Sequence, residues 1–393
     1  MTTNRQSDGQ GNQMWQVQLF ELNFDSREAD AVQKVLESGW ITMGPKTLEF
    51  EESFEKLIGE GHCTAVSSGT AALHLALMAC GIGPGDEVIL PALDFIAGAN
   101  MVRIVGAEPV LADCESYENW NISIEDVRKK INDRTRAVMC VHYAGYPCRM
   151  DQLVPLCKEN GLALIEDVAH APGGTFEGKA LGTFGDVGCF SFFTNKNLSV
   201  GEGGMVVTID EKLHESVRLL RSHGMTTLTL DRHRGRAISY DVLQPGLNYR
   251  IDEMRAAIGC VQLEKLRAAN QQRGEWVRQY YAGLAGVKNI SIPYVDYAVD
   301  DSTYHIFPIL LEEGVGRDSV IGSLKTRGVQ ASIHYPALSE FQAYAGLRGE
   351  DTPIASSISR RELTLPLYPT MGKKNVEIVC QALAESLGTP DDQ

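Results

Sequence analysis

Several features that define other protein classes are missing from this 393-residue chain. None of its nine cysteines lies in a CxxC pair, so the spacing favours neither a zinc ribbon nor a disulfide framework. No stretch approaches the roughly 20 consecutive apolar residues that a membrane-spanning helix requires. We therefore expect reduced, mostly buried thiols in a cytoplasmic protein that does not enter a membrane.

Positive charge is also scarce: the chain has 36 lysines and arginines but 51 acidic residues, so its formal net charge is -15. No overall field then attracts nucleic acid or an anionic membrane, and we expect neither as a partner. A phosphorylated ligand would have to be held by local backbone amides and a few placed cations. With 44% hydrophobic and 22% charged residues, the chain is neither a disordered protein nor a coiled coil.

From Cys63 onward, short apolar runs alternate with longer amphipathic segments. The pattern predicts strands over 63–68, 86–93, 108–114, 136–143, 162–168, 187–193 and 205–210. It predicts helices over 71–81 and 151–160, and a long helix from Asp252 to about Gly283. Near-continuous apolar strands between helices indicate an α/β fold, whose large domain has a mostly parallel sheet covered by helices on both faces.

The sequence also predicts a second domain at the C-terminal end and an arm at the N-terminal end. The segments HIFPILL and GVQASIHY, with helical segments between them, indicate a smaller C-terminal α+β domain. The polar start MTTNRQSDGQGNQM lacks the apolar run of a signal peptide, and we expect a disordered arm there. The expected division is residues 1–15 as the arm, 16–270 as the large domain and 271–393 as the small domain.

The first candidate site lies in SSGTAALHLAL, where a strand ends, a turn of small residues follows and a helix begins. Gly69 allows close approach of the backbone, Thr70 adds a hydroxyl, and the helix start offers free N–H groups. This combination suits a phosphate group. The alternative is an ordinary capped turn, since serine and threonine often cap helices.

The second candidate lies in IEDVAHAPG, at the end of an apolar strand. A carboxylate such as Asp167 at the mouth of a buried strand needs a partner, and a protonated heteroaromatic nitrogen is one. The alternative is that Asp167 caps a following helix and that His170 is a packed imidazole.

The third candidate is Lys196 in GCFSFFTNKNLSVGEGGMV, after an apolar strand and before a glycine-rich return. Partial burial lowers the pKa of a lysine, which suits Schiff-base formation with an aldehyde. Ser191 lies five positions earlier, within reach of a phosphate near the same strand ends. The alternative is a solvated surface lysine. Cys189 lies in an apolar strand and is expected to be a core thiol.

Two more segments contain candidate ligand contacts. RSHGMTTLTLDRHRGR (221–236) is a basic loop in an acidic protein, which faces either an anionic substrate or only solvent. PGLNYRIDEMRAA places Asn248 and Arg250 just before a helix, with Asp252 as its N-cap. These two residues are either ligand contacts or cap and interface residues. We expect no metal site, because Cys140-x-His142 lacks further ligands at zinc spacing.

Taken in order, these segments resemble the DegT/StrS-type sugar aminotransferases, which are pyridoxal phosphate (PLP) enzymes of the aspartate-aminotransferase fold (fold type I). The resemblance runs from Ser38-Gly39-Trp40 to His334-Tyr335-Pro336 and so covers nearly the whole chain. Lys196 matches the lysine that forms the Schiff base and moves the proton. Asp167 matches the acid that pairs with the pyridinium nitrogen.

The resemblance also implies the roles of other residues. His170 matches a position near the cofactor ring, and Phe95 matches the aromatic residue that stacks on it. Gly69, Thr70 and Ser191 match phosphate contacts. Asn248 matches a phosphate contact that the neighbouring subunit donates, which implies a homodimer with shared active sites. The residues that fall near expected substrate contacts are Arg250, His334 and Tyr335. Asp94 departs from the family, which often has threonine or serine there, and an acid could alter substrate contacts.

The implied reaction moves an amino group from glutamate or glutamine to a keto sugar, most simply a nucleoside-diphosphate-linked keto-deoxyhexose, and yields an amino sugar. Arg232 and Arg234 of the basic loop are candidates for binding the diphosphate. One alternative is an acceptor of the aminocyclitol ketone (inosose) type. Another is a PLP-binding regulator without turnover, although the presence of Lys196 and Asp167 favours transamination.

Overall fold

The computed structural model describes residues 15–227, 239–297, 302–349 and 351–388. Its centre is a seven-stranded sheet in the order β1-β9-β8-β5-β4-β2-β3. Six of these strands run parallel to one another, and β9 is antiparallel to both of its neighbours, β1 and β8. The prediction of a mostly parallel sheet is confirmed. The strands are β1 (His62–Val66), β2 (Glu87–Pro91), β3 (Glu108–Ala112), β4 (Thr135–Val141), β5 (Ala163–Asp167), β8 (Val187–Ser191) and β9 (Gly204–Thr208).

Helices cover both faces of this sheet. Successive residues of β8 belong to different cores, since Cys189 faces the cluster that contains α3 while Phe190 faces Phe50 and Phe54 of α2. Burying both faces explains why the strands are apolar at nearly every position. The helices in this part are α1 (Ser26–Ser38), α2 (Pro45–Ile58), α3 (Gly69–Ala79), α4 (Ala97–Ile104), α5 (Ile124–Lys130), α6 (Met150–Glu159) and α7 (Glu211–Arg221). A two-stranded hairpin, β6 (Thr175–Phe176) and β7 (Lys179–Ala180), lies between β5 and β8.

The long helix α8 (Glu253–Leu284) follows the large sheet, and the Asp252 side chain caps it by accepting from the backbone N–H of Arg255. Both features match the prediction. The helix continues through residue 270 without interruption and contacts α1 and α2 as well as the last helix of the chain.

The C-terminal part contains a three-stranded antiparallel sheet of β10 (Ile290–Ser291), β11 (Phe307–Leu311) and β12 (Glu362–Leu365). Its helices are α9 (Arg317–Thr326), α10 (Pro353–Arg361) and α11 (Lys373–Gly388), with short 3₁₀ turns at Tyr143–Gly145, Leu338–Glu340 and Gln342–Tyr344. The expected α+β character is present. Residues 328–335 form only isolated bridges, to Val17 and to Thr364, because their backbone bonds two different segments.

Within the described ranges, no helix combines the length and the apolar character that crossing a bilayer would require.

Candidate active site

A cavity of about 400 Å³ opens at the carboxyl ends of β1, β2, β5 and β8. These four strands run in the same direction, so the polar residues that follow them in sequence meet at one edge of the sheet. The cavity brings together nine of the residues that the sequence singled out: Gly69, Thr70, Phe95, Asp167, His170, Ser191, Lys196, His334 and Tyr335.

Asp167 is the last residue of β5, and its carboxylate lies at the cavity. The backbone N–H of Ala169 donates to its Oδ1 atom at 2.9 Å. No helix begins there in the structure, so Asp167 fixes a local turn and does not act as a helix cap. Burial raises the pKa of Asp167, opposed by the Ala169 hydrogen bond and by the positive charge of Lys196. A cationic donor in the cavity would stabilise the ionised form of this carboxylate.

Lys196 lies in the connection between β8 and β9, and its amine reaches the same cavity. Burial lowers the pKa of this amine from 10.5 to about 8, although the carboxylates of Asp167 and Asp94 oppose the shift. A lysine with this pKa is partly neutral near pH 7, and only the neutral amine is a nucleophile toward an aldehyde. The Nζ atom lies 3.5 Å from Nε2 of His305.

The protonation of His170 follows from its two neighbours. Its Nδ1 atom accepts a hydrogen bond of 3.3 Å from the backbone N–H of Ala144. Burial lowers the pKa of His170 well below its usual value, so the ring is neutral and its single proton lies on Nε2. That nitrogen donates to the hydroxyl oxygen of Tyr335 at 3.1 Å. The phenolic hydrogen of Tyr335 is therefore available to a ligand in the cavity.

The start of α3 forms one end of the cavity. Ser68 caps the helix by accepting from the backbone N–H of Ala71. A Cβ atom at Gly69 would lie 2.7 Å from the Cβ atom of Ser191, so only glycine allows the two segments to pack this closely. The helix N-terminus and the hydroxyls of Thr70 and Ser191 thus line one corner of the cavity, an arrangement that suits a phosphate group.

Phe95 lies at the cavity with 53% of its surface exposed, so its ring is available for stacking on a ligand. The preceding Asp94 is buried, and its Oδ1 atom accepts from the backbone N–H of Phe95 at 2.6 Å. Its Oδ2 atom is enclosed and has no hydrogen-bond partner among the described residues. Burial and the nearby Asp167 raise the pKa of Asp94, which favours its neutral form.

The lining of this cavity contains none of the remaining predicted residues that the structure describes. Asn248 is exposed, and neither it nor Arg250 is among the described residues that line this cavity. Arg232 and Arg234 lie outside the described residues. Arg221, the first cation of the basic loop, is buried and ion-paired with Glu51 at 2.7 Å. We correct the prediction for Arg221, because its guanidinium is buried against Glu51 and is not available to a substrate.

Sequence reasoning missed His305 and Asn197, which are both buried behind Lys196. Asn197 is the neighbour of Lys196 in the chain, and its Oδ1 atom lies 3.0 Å from Nδ1 of His305. His305 comes from the segment before β11, over 100 residues later. Because its spacing from Lys196 follows no period, only the folded chain places it here.

Comparisons with known proteins agree with this arrangement. The family model described as the DegT/DnrJ/EryC1/StrS aminotransferase family matches residues 23–384. An uncharacterized protein of Methanocaldococcus jannaschii is 35% identical over 363 residues, which cover 91% of this chain and 94% of that protein.

Two solved structures have closely similar folds. The aminotransferase TlmJ of Streptoalloteichus hindustanus has a TM-score of 0.88 at 33% identity, over 94% of this chain and 98% of that one. Spr1654 of Streptococcus pneumoniae, assigned as a sugar aminotransferase and solved in its PLP form, has a TM-score of 0.85 at 27% identity. That alignment covers 93% of this chain and 98% of the other.

Proposed function

We propose the two substrates of this chain, which belongs to the DegT/DnrJ/EryC1/StrS aminotransferase family and is therefore a PLP-dependent sugar aminotransferase. The amino donor is glutamate or glutamine, and the acceptor is a nucleoside-diphosphate-linked keto-deoxyhexose. One observation carries the proposal. Lys196, Asp167 and the Gly69–Ser191 contact line a single cavity whose mouth remains open beside Phe95.

The residues present fit PLP. The corner at Gly69 and Ser191 offers hydroxyls and helix N–H groups to a phosphate. The carboxylate of Asp167 suits a protonated ring nitrogen, and the amine of Lys196 suits an aldehyde. The exposed ring of Phe95 offers a stacking face.

When bound, PLP supplies an aldehyde that receives amino groups and a ring that withdraws electrons from the reacting carbon. Asp167 keeps a proton on the ring nitrogen, because a carboxylate stabilises the adjacent positive charge. Lys196, once its amine is free, would move a proton from the carbon that bears the donor's amino group to the carbon of the cofactor's former aldehyde. It would move a proton in the opposite direction when the ketone receives the amino group. His170 holds Tyr335 against the cavity, and Tyr335 can donate its phenolic hydrogen to a bound ligand.

We further propose that the enzyme acts as a homodimer in which Asn248 of one subunit completes the phosphate site of the other. Two observations support this. Asn248 is exposed and is not among the residues that line the cavity of its own chain. Large apolar side chains are also left exposed on the surface, among them Phe20, Leu22, Phe24 and Leu243.

We also propose that Arg232 and Arg234 of the basic loop bind the diphosphate of the acceptor. Replacing Arg232 and Arg234 together with alanine should raise KM for the keto-sugar nucleotide and leave the glutamate half-reaction unchanged. If both half-reactions lose the same factor, the loop does not bind the sugar nucleotide.

The decisive experiment follows the visible absorbance of the PLP-loaded protein. Glutamate or glutamine should convert it to the pyridoxamine phosphate form, and the conversion should be absent in Lys196→Ala. The converted protein is then mixed with 3-keto and 4-keto sugar nucleotides and with inososes. Only keto-sugar nucleotides should restore the original spectrum. Restoration by inososes alone would replace the proposed acceptor with a cyclitol ketone.

A further inference from the structure

We propose that His305 is a positioning residue that presents a fixed acceptor nitrogen to the amine of Lys196. The proposal rests on the proposed function only in taking Lys196 as the catalytic amine. His305 is buried, and its Nε2 atom lies 3.5 Å from Nζ of Lys196. What that nitrogen does depends on which of the two ring nitrogens bears the proton.

The tautomer of His305 depends on the orientation of the Asn197 amide. The oxygen and the nitrogen of an amide are distinguished by their hydrogen-bond partners. The Nδ2 atom of Asn197 donates to the backbone carbonyl oxygen of Thr303 at 2.8 Å and to Oδ1 of Asn270 at 2.9 Å. A backbone carbonyl oxygen can only accept. The nitrogen of the amide must therefore face Thr303, and its Oδ1 atom must face His305.

The tautomer of His305 follows. Its Nδ1 atom lies 3.0 Å from Oδ1 of Asn197, an atom that cannot donate, so the ring proton lies on Nδ1. Burial and the charge of Lys196 lower the pKa of His305 well below its usual value, so there is no second proton. The unprotonated Nε2 atom faces Lys196. The backbone of His305 is also fixed, because its N–H donates to the carbonyl oxygen of Ala144 and its own carbonyl oxygen accepts from Arg273.

The consequence concerns the charge and direction of the Lys196 amine. An ammonium donates a stronger hydrogen bond than a neutral amine, so an acceptor at Nε2 favours the protonated form. It opposes the effect of burial, as do the carboxylates of Asp167 and Asp94. The other titratable groups that face this pair are His170, His334 and Arg273. Removing the acceptor should lower the pKa of Lys196 and loosen the direction of its amine.

Two substitutions separate this role from a structural one. His305→Asn keeps a donor near the position of Nδ1, which can still bond Asn197, and loses the atom that faces Lys196. His305→Gln places an amide oxygen near the position of Nε2, where it can still accept from Lys196. If His305 only supports Asn197, the asparagine variant should be the milder one. If it positions Lys196, the glutamine variant should be the milder one.

The first measurement uses the full-length chain without PLP. Acetic anhydride labels amines in proportion to their neutral fraction, and mass spectrometry reports the labelling of Lys196 between pH 6 and pH 10. We expect His305→Asn to lower the pKa of Lys196 by about one pH unit, the usual size of one hydrogen bond to a charged group. His305→Gln should stay near the wild-type value. The exposed Lys179 is the internal reference in every sample.

The second measurement uses the PLP-loaded enzyme and the amino-donor half-reaction. His305→Asn should lower the maximal rate with little change in the donor concentration at half-saturation, and should shift the pH profile to lower pH. Equal behaviour of the two variants, or a milder asparagine variant, would overturn the proposal.

Melting curves show whether each variant folds. If His305→Asn does not fold, Asn197→Leu takes its place. It removes the oxygen that fixes the tautomer of His305, and it should also lower the pKa of Lys196. The labelling result does not depend on any ketone acceptor. If the pKa of Lys196 is the same in His305→Asn as in the wild type, the role of His305 is contradicted. If the wild-type protein accepts no keto sugar, the proposed substrate is contradicted.

Discussion

The Nε2 atom of His170 lies 3.1 Å from the hydroxyl oxygen of Tyr335 and joins two residues 165 positions apart at the wall of one cavity. His170 follows the sheet strand β5, and Tyr335 belongs to the C-terminal part of the chain. This hydrogen bond links the two parts of the molecule directly at the candidate active site. Because both side chains are largely buried, the bond is expected to contribute to stability as well as to ligand binding.

A double-mutant cycle tests this bond. Tyr335→Phe leaves the buried N–H of His170 without an acceptor and should lower the free energy of unfolding by about 1–3 kcal/mol. In the Tyr335→Phe background, His170→Asn, which keeps an acceptor near the position of Nδ1 and loses the donor at Nε2, should cost about 1 kcal/mol less than it costs alone. Urea denaturation of the wild type and the three variants, all without PLP, measures the cycle. His170→Asn should be additive with Tyr368→Phe, because the Tyr368 hydroxyl bonds Asn375 in another region. Additivity with Tyr335→Phe would show that the bond is not formed.

The packing of Gly69 against Ser191 predicts the effect of one added methyl group. A Cβ atom at Gly69 would lie 2.7 Å from the Cβ atom of Ser191, so the helix start must shift. Gly69→Ala should raise the Kd for PLP by about 5- to 150-fold, the equivalent of 1–3 kcal/mol of overpacking.

Equilibrium dialysis or fluorescence titration gives that Kd. Adding Ser191→Gly to Gly69→Ala removes the colliding atom but also the hydroxyl proposed to contact the phosphate. The rescue is therefore read in the free energy of unfolding without PLP, which should recover in part. Gly322→Ala is the matched control, because a Cβ atom there meets nothing within 4 Å. A Gly69→Ala variant that binds PLP like the wild type would mean that the phosphate does not lie at this corner.

Glu253 stabilises the start of α2 from a distance in sequence. Its carboxylate accepts from the backbone N–H groups of Gly44, Lys46 and Thr47 and from the Thr47 hydroxyl, and it is only 2% exposed. No side chain at the helix start caps α2 itself. Glu253→Ala should lower the free energy of unfolding by about 2–4 kcal/mol. The exposed Glu264→Ala on the same helix should stay within about 0.5 kcal/mol. Equal, small changes in both variants would contradict the capping role.

Glu362 predicts a pH dependence of stability. Burial raises the pKa of this carboxyl from 4.5 to about 8, while bonds from His334 and Thr364 oppose the shift. Between these two values the folded state binds more protons than the unfolded state. The stabilisation from this group is therefore complete below about pH 4.5 and is lost as pH rises toward 8.

The variant Glu362→Gln isolates this contribution. Relative to Glu362→Gln, the wild type should lose stability with rising pH between 5 and 8, with a slope of up to about 1.4 kcal/mol per pH unit. Urea denaturation at half-unit pH steps measures the difference, in which the other titrating groups cancel. A difference that stays constant with pH would contradict the raised pKa.

Much of the large sheet could be predicted from the sequence. Each predicted strand over 63–210 overlaps an observed one, and the long helix begins after Asp252 as expected. These elements are apolar on the faces that they bury, so a hydrophobic pattern within each segment of the sequence reveals them. Residues 328–335 are the exception. They look like a strand in sequence, but their backbone bonds are divided between Val17 and Thr364.

The candidate site was predictable in its strand-end residues and not in the groups behind them. Lys196, Asp167 and Gly69 could be identified because each lies at the end of, or soon after, a strand that the pattern predicts. His305 and Asn197 could not, because buried side chains that bond one another leave no periodic mark. The role of Asn248 remains a prediction, since the site of one chain does not contain it.

The sequence by itself determined the order of strands and helices and the residues that end each strand, because hydrophobic periodicity and caps are local properties. The tertiary structure alone decided which ring nitrogen of His170 and of His305 bears the proton and which atom faces Lys196. Those choices depend on donors and acceptors such as Ala144, Thr303 and Asn197, which reach the site from separate segments. A hydrogen bond between distant residues exists only after the chain has brought them together, so no local pattern records it.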